Sequence, residues 1–351
     1  MKNNKLIGFF SMLCGVVGCT ANGFQSMSVE EFGQAIADKE VVVLDVRTFE
    51  EYAKGHLPGA VLLDMQQPDF RVKASSRLPK ACTVAVYCRT GNRSKMAARM
   101  LAEEGFRVIE LDKGYQEWVK ARKDVTNEEV DTFVTAEGLR VSFHCIKHGS
   151  LRIQVGTQWI YIDPVGEAAQ PVTDYSAFPK ADAILVTHEH YDHLDKQAID
   201  QLLMPGTQVI TNPRSNEQLG GQCQALCNGE KTLLFGKYML EAVPAYNYSA
   251  DKLAFHPKGR DNGYILTVDN LRIYVAGDTE DIPELSDVHD IDIAFLPCNL
   301  PYTMTPQQFA QAARKINPKV VFPYHYGQTD IQSVLPLLEG TGIEVRIRSY
   351  Q

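Results

Sequence analysis

Two short stretches hold the residue types best suited to chemistry. The first is Ala183 to Asp195, A-I-L-V-T-H-E-H-Y-D-H-L-D, in which an apolar run delivers the chain to His188, His190, Asp192 and His193. Alternate side chains of an extended chain point the same way, so His188 and His190 can grip one cation. The turn that follows places Asp192 and His193 to grip a neighbour. A lone buried histidine is usually a core residue, but three histidines with an aspartate inside six positions have metal-ligand spacing. The second stretch is V-A-V-Y-C-R-T-G-N-R-S-K. Here Cys88 ends an apolar strand, Arg89, Thr90, Gly91, Asn92 and Arg93 form a loop, and Ser94 stands where it could cap the next helix. Backbone N–H groups converging ahead of a helix, with the helix dipole behind them, favour thiolate over thiol. Arg89 and Arg93 add positive charge and donors for an anionic substrate.

The cluster H-E-H-Y-D-H resembles the H-x-H-x-D-H signature of the metallo-β-lactamase superfamily. Y-I-D-P at Tyr161 to Pro164, V-A-G-D-T at Val275 to Thr279 and F-P-Y-H-Y-G at Phe322 to Gly327 fit the same family, over about residues 139–351. The likeness is nearest to the metal-dependent hydrolase branch. It implies that Asp278 bridges two metals, that His325 completes the second site, and that Asp163 orients a ligand from behind. His148, in I-K-H-G-S-L, matches a G-H-A-S-like segment; it lies near the site without binding metal or is an ordinary strand-end histidine. One position departs from the family: a further histidine is expected about where V-P-A-Y-N puts Asn247, and an amide oxygen is a poorer zinc ligand than an imidazole. His256, in A-F-H-P-K-G, either reaches in as the missing ligand or stands behind the ligands or against substrate. One or two divalent ions are implied, zinc first, with manganese or iron as alternatives. Tyr302 and Thr303 are expected at the substrate mouth.

The Cys88 loop, with L-D-V-R-T-F-E-E-Y at Leu44 to Tyr52, G-H-L-P-G-A at Gly55 to Ala60 and D-K-G-Y-Q-E-W at Asp112 to Trp118, resembles the rhodanese family over about residues 28–122. That resemblance implies a Cys88 persulfide, formed from a donor such as thiosulfate or another persulfide and stabilised by the loop amides. A loop of this length goes with sulfur transfer in the family, whereas related phosphatases have one residue more. Arg47 and Glu50 match its charged pair, and Cys82 reads as a strand-start thiol.

Elements that could hold these residues are visible in the hydrophobic pattern. Strands at Val41 to Val46, Val84 to Cys88 and Val108 to Leu111, with helices at Ser94 to Glu104 and Tyr115 to Arg122, predict a small α/β domain with a mostly parallel sheet. Residues 123–138 read as a charged linker. Beyond it, strands at Leu139 to Ile146, Leu151 to Val155, Gln158 to Ile162, Ala183 to Thr187, Tyr264 to Val268, Leu271 to Ala276, Ile291 to Phe295 and Val320 to Pro323, with helices at Lys196 to Met204 and Thr305 to Ile316, predict an αββα sandwich.

The chain has 351 residues, enough for two domains, and its formal charge of -8 argues against a nucleic-acid partner. Lys2 and Lys5 precede an apolar run, Leu6 to Val17, that is too short to span a bilayer. It ends in Val16-Val17-Gly18-Cys19, which resembles a bacterial lipobox. That implies a signal peptide over 1–18, lipidation of Cys19, a tether over 19–27 and anchorage in the bacterial cell envelope. The remaining cysteines show no disulfide framework, and Cys223 and Cys227 read as ordinary thiols. The leading functional expectation is metal-assisted hydrolysis of a small molecule, with Asp192 or Asp278 receiving a proton, beside sulfur transfer at Cys88. The competing expectations are a persulfide dioxygenase using mononuclear iron and a non-catalytic envelope binding module.

Overall fold

In a computed structural model of the chain, residues 23–38, 40–126 and 129–348 are described; Cys19, the signal segment and the start of the tether lie outside them. The first domain has strands β1 (Gln25–Met27), β2 (Val41–Asp45), β3 (Val61–Leu62), β4 (Thr83–Tyr87) and β5 (Arg107–Leu111). They form one parallel sheet in the order β1-β5-β4-β2-β3. Its helices are α1 (Val29–Ala35), α2 (Phe49–Ala53), α3 (Phe70–Arg77), α4 (Asn92–Glu103) and α5 (Gly114–Lys120). Alternate residues of the central strands go to opposite faces. Leu44, Val84 and Val86 pack with Ala97 and Leu101 of α4, while Val43 and Ala85 pack with Phe32 of α1 and Trp118 of α5. Complete capping boxes, Ser28 with Glu31 and Thr48 with Glu51, start α1 and α2.

The second domain stacks two seven-stranded sheets. One holds β6 (Val130–Val134), β7 (Arg140–Lys147), β8 (Ser150–Val155), β9 (Gln158–Ile162), β10 (Ala183–Leu185), β11 (Gln208–Thr211) and β12 (Gln224–Ala225). The other holds β13 (Lys231–Leu234), β14 (Tyr238–Ala245), β15 (Asp261–Val268), β16 (Leu271–Val275), β17 (Ile293–Pro297), β18 (Val320–Tyr324) and β19 (Glu344–Val345). Their shared core includes Phe143, Ile153, Leu240, Leu266, Phe295 and Phe322, with the rings of Phe295 and Phe322 stacked 4.8 Å apart. Outside lie α6 (Lys196–Leu202) and α7 (Pro213–Gln218) on one side, and α8 (Pro306–Ile316) and α9 (Val334–Leu338) on the other. This is the expected αββα sandwich, and Thr305 caps α8 ahead of Pro306 as the sequence indicates.

The segment read as a linker differs from expectation, because it contains β6, antiparallel to β7. Its charge concealed a buried strand: Asp131 is almost wholly inaccessible, held by Arg346 at 2.6 Å and by Arg348 at 2.7 Å. The same region joins the domains. Val134 of β6 belongs to the core of the first domain, and the Tyr52 hydroxyl donates to the Val130 carbonyl at 2.8 Å. Gly138, just before β7, lies against the sulfur of Cys82, just before β4; Arg77 at the end of α3 pairs with Glu344 of β19 at 2.6 Å. At the other end, Arg348 lies over the Phe49 ring, which follows β2. Strand starts meet strand starts and strand ends meet strand ends, so β2 and β4 run in the same general direction as β7 and β18.

Burial works against the charge of Asp131, but Arg348 and Arg346 outweigh it and hold the carboxyl below its usual range. Its contribution to stability is therefore complete above the unfolded value, about pH 4, and is lost as pH falls through the lower folded value. Asp131→Ala, which removes the carboxylate shared by two buried guanidinium groups and leaves Arg346 with Glu344 at 2.7 Å and Arg348 with Glu129 at 4.0 Å, should cost about 3 kcal/mol in urea unfolding at pH 7. The gap from the parent should narrow in acid.

Candidate functional site: metal centre and cysteine loop

Asp163 follows the end of β9 and joins it to the end of β10. The Thr187 N–H donates to its Oδ1 at 2.7 Å and the Thr187 hydroxyl to its Oδ2 at 2.6 Å. His193 Nδ1 lies 2.8 Å from that same Oδ2, so the ring is locked with Nε2 turned inward, 3.4 Å from Asp278 Oδ1. Asp278 follows β16, and His325 follows β18 with its N–H bonded to the His148 carbonyl at 3.1 Å. His148, Asp163 and His325 all have positive φ, 44° to 46°, a conformation costing roughly 1–3 kcal/mol in a residue with a side chain. Side-chain-to-backbone bonding and dense packing hold them there. Gly149 is needed for a related reason: a Cβ at that position would lie 2.8 Å from the His193 ring.

Among the described residues, three groups of side chains offer ligand atoms within 4.8 Å of one another: His188, His190 and His256; His188, His193 and Asp278; and His148, Asp192 and His325. Asp278 Oδ2 lies 3.3 Å from His256 Nε2 and 3.5 Å from His325 Nε2. Buried atoms with no hydrogen-bond partner concentrate here: Nε2 of His193, His256 and His325, and Oδ1 of Asp278. Inward-facing polar atoms left unpaired are costly, and this donor set of imidazole nitrogens and carboxylate oxygens suits a divalent metal. Burial pushes His188 and His190 down, toward the neutral form a metal ligand needs. Asp192 and Asp278 resist burial and stay well below the usual carboxylate range because histidines surround them. Burial opposes charge on His193, yet Asp278 and Asp163 raise it to about 10.

The structure thus brings His188, His190, Asp192, His193, Asp278 and His325 together, with Asp163 behind them. Asn247 stands behind His256. Its Nδ2 donates to the carbonyls of Tyr302 at 2.8 Å and Lys252 at 3.2 Å, and its backbone N–H donates to the His256 carbonyl at 2.7 Å. The loop after β14 thereby swings His256, nine residues further on, toward the other two histidines. His148 comes closer than expected, with Nε2 3.1 Å from Asp192 Oδ2. Thr303 does not reach the mouth: it is wholly buried, its hydroxyl accepting the Asn299 N–H at 2.7 Å. Tyr302 is 45% exposed, its ring 5.1 Å from that of Phe255. Thr187, Gly149 and Lys252, which donates to the Thr303 carbonyl at 2.6 Å, escaped sequence reading, since nothing local marks them.

In the first domain Cys88 follows β4, buried, and its sulfur accepts the Gly91 N–H at 3.2 Å. Three expectations are corrected here. The residue capping α4 is Gly91, with φ of 92°, since the turn needs a left-handed residue; Ser94 lies inside the first turn, its hydroxyl 2.7 Å from Glu110 Oε1. Arg93 is committed to a two-pronged pair with Glu51 at 2.6 and 2.7 Å, which leaves Arg89 as the exposed loop cation. Arg47 pairs with Asp45 at 2.6 Å instead of Glu50. Thr90 and Asn92 are exposed.

The model of the rhodanese-like domain matches residues 28–121, and that of a β-lactamase superfamily domain matches residues 142–325. A UPF0173 metal-dependent hydrolase of Anoxybacillus flavithermus is 30% identical over 225 residues, 60% of this chain and 97% of the relative. One from Symbiobacterium thermophilum is 32% identical over 57% of this chain and 89% of its own length. The crystal structure of a putative metal-dependent hydrolase from Parabacteroides distasonis is 49% identical, with a TM-score of 0.61 over 64% of this chain and 99% of that one. Igni18, a metallo hydrolase from Ignicoccus hospitalis, shares the fold at 24% identity and a TM-score of 0.51, over 60% of this chain and 95% of its own.

Because Asp163 sets the ring of His193 without itself standing among the inward-facing ligand atoms, Asp163→Asn should leave the far-ultraviolet circular dichroism intact. Affinity for zinc, measured by chelator competition, should fall about 10- to 100-fold.

Proposed function

This chain belongs to the β-lactamase superfamily, with a rhodanese-like domain ahead of the metallo-β-lactamase fold, and we propose that it is a metal-dependent hydrolase of small molecules whose Cys88 carries sulfur in a second activity. The observation that carries the hydrolase reading is the set of unpaired, inward-facing Nε2 atoms of His193, His256 and His325 around Asp278. In this reading His188, His190 and His256 hold one divalent cation. Asp192, His193 and His325, with His148 alongside, would hold a second, and Asp278, within reach of His193, His256 and His325, would serve either. Zinc suits this nitrogen-rich set best, with manganese or iron as alternatives. A divalent cation bound there supplies Lewis acidity and makes water a nucleophile at neutral pH. The protein's own groups do the rest: Asp163 fixes the tautomer of His193, and the two carboxylates balance the positive charge. Asp192, whose side chain is about a fifth exposed where that of Asp278 is 3%, is the better placed of the two to pass a proton to solvent.

At Cys88 the thiolate would attack the sulfane sulfur of thiosulfate, forming a sulfur-sulfur bond while the donor's own breaks and sulfite leaves with its electron pair. The Gly91 N–H supports this reading by facing the sulfur. Attachment to the bacterial envelope through a lipid on Cys19 completes the proposal, supported by the lipobox-like start alone.

His190→Ala should lower hydrolysis at least about a hundredfold, while Cys88→Ser keeps hydrolysis and loses the gain of one sulfur atom that mass spectrometry should register after thiosulfate treatment. Unchanged hydrolysis in the histidine variant would sink the assignment, as would a folded parent that retains none of zinc, manganese and iron.

A further inference from the structure

The loops around the metal centre are residues 186–195, 246–260, 276–282, 298–305 and 325–330. They carry five large hydrophobic side chains that stand between 45% and 70% exposed: Tyr191, Tyr248, Leu253, Leu300 and Tyr302. Each is placed by the centre itself. Tyr191 lies between His190 and Asp192 in the ligand loop, and Tyr248 follows Asn247. Leu253 follows Lys252, which is pinned to Thr303; Leu300 follows Asn299, whose side chain lies against Gly327 two residues past His325. The Tyr302 carbonyl accepts from Asn247. Leaving that much apolar surface in water on the loops that carry the ligands is unfavourable unless something covers it.

Charge on the same loops is equally specific. Their cationic side chains are Lys252, Lys258 and Arg260, and no others occur in those stretches. All three are engaged: Lys252 with the Thr303 carbonyl at 2.6 Å and Glu280 at 3.1 Å, Lys258 with Glu284 at 2.6 Å, and Arg260 with Asp261 at 2.7 Å and Glu189 at 3.2 Å. Arg214, from outside these stretches, is likewise paired with Glu189 of the ligand loop at 3.0 Å. Free guanidinium or ammonium donors favour a phosphoryl or sulfonyl group, and the cations at these loops are all committed to carboxylates, in a chain that is acidic as a whole.

We infer that the metal centre takes uncharged acyl substrates, esters or their close kin, whose apolar chain or ring lies across Tyr191, Leu253 and Tyr302, and that it is not built for phosphodiesters. This rests on the hydrolase reading above and narrows it. In the reaction the oxygen of water bonds to the acyl carbon, the bond from that carbon to the leaving oxygen breaks, and the proton released goes to the leaving group or to solvent.

The test compares p-nitrophenyl acetate, butyrate and octanoate with bis(p-nitrophenyl) phosphate, using the full chain purified without chelators. A fully buried methylene is worth about fourfold, so a partly covered chain should raise kcat/KM at least about tenfold from acetate to octanoate. The phosphodiester should be the poorest of the four. In Leu253→Ser and, separately, Tyr302→Ser, the octanoate-to-acetate ratio should collapse toward one through a rise in KM for octanoate. Two exposed positions are used so that a folding defect in one leaves the other to be read. Equal kcat/KM along the ester series, or faster cleavage of the phosphodiester, overturns the inference while the hydrolase assignment stands. Cleavage of neither class overturns both.

Discussion

An ionised carboxylate deep in a protein needs compensation, and Asp278, with 3% of its side chain exposed, sits at the point where this molecule must supply it. Removing such a group from water costs several kcal/mol even after relaxation. His193, His256 and His325 close around it from three separate parts of the chain. Their Nε2 atoms are buried, without a hydrogen-bond partner, and gathered about the same carboxylate. A stacked pair of twisted sheets suits the task, because the ends of β10, β16 and β18 deliver ligands to one rim while Phe143, Phe295 and Phe322 keep the strands beneath from shifting. The strained backbone at His148, Asp163 and His325 persists on that rigid base.

The ligand loops are also tied to each other. Glu280, two residues past Asp278, accepts from the N–H groups of Tyr248 and Ser249 and pairs with Lys252, so the loop bearing His256 is fastened to the loop bearing Asp278. Burial raises the Glu280 carboxyl, but bonds from Ser249, Gln308 and Tyr248 overcome that and bring it down to about 2. The anchor therefore stays charged across the neutral range. Asn247 joins this fastening through its amide nitrogen, while its Oδ1 is buried without a hydrogen-bond partner. The amide donates to two carbonyls, and His256, farther along the same loop, brings an imidazole beside His188 and His190.

Much of this was legible in the residue pattern because the strongest signals were local. His188 to His193 lie on one short loop after one apolar strand, and the continuous apolar runs of β2 and β4 identify themselves as central strands. Asp278 and His325 were legible only through family likeness, since nothing in their immediate neighbours requires a metal. What could not be read was long-range compensation. β6 was hidden by Asp131, whose partners Arg346 and Arg348 lie more than two hundred residues away. The pairing of Arg93 with Glu51 likewise depends on how α2 meets α4, and the cap at Gly91 on a backbone angle that a serine nearby does not announce.

The common direction of β2, β4, β7 and β18 has a geometric corollary. Cys88 and His325 both sit just past strand ends that point the same way, so the sulfur loop and the metal rim open on one side of the molecule. Gly23 packs by Ala102 near the far end of α4, and β1 then climbs parallel to β5, so the polypeptide enters from the opposite side.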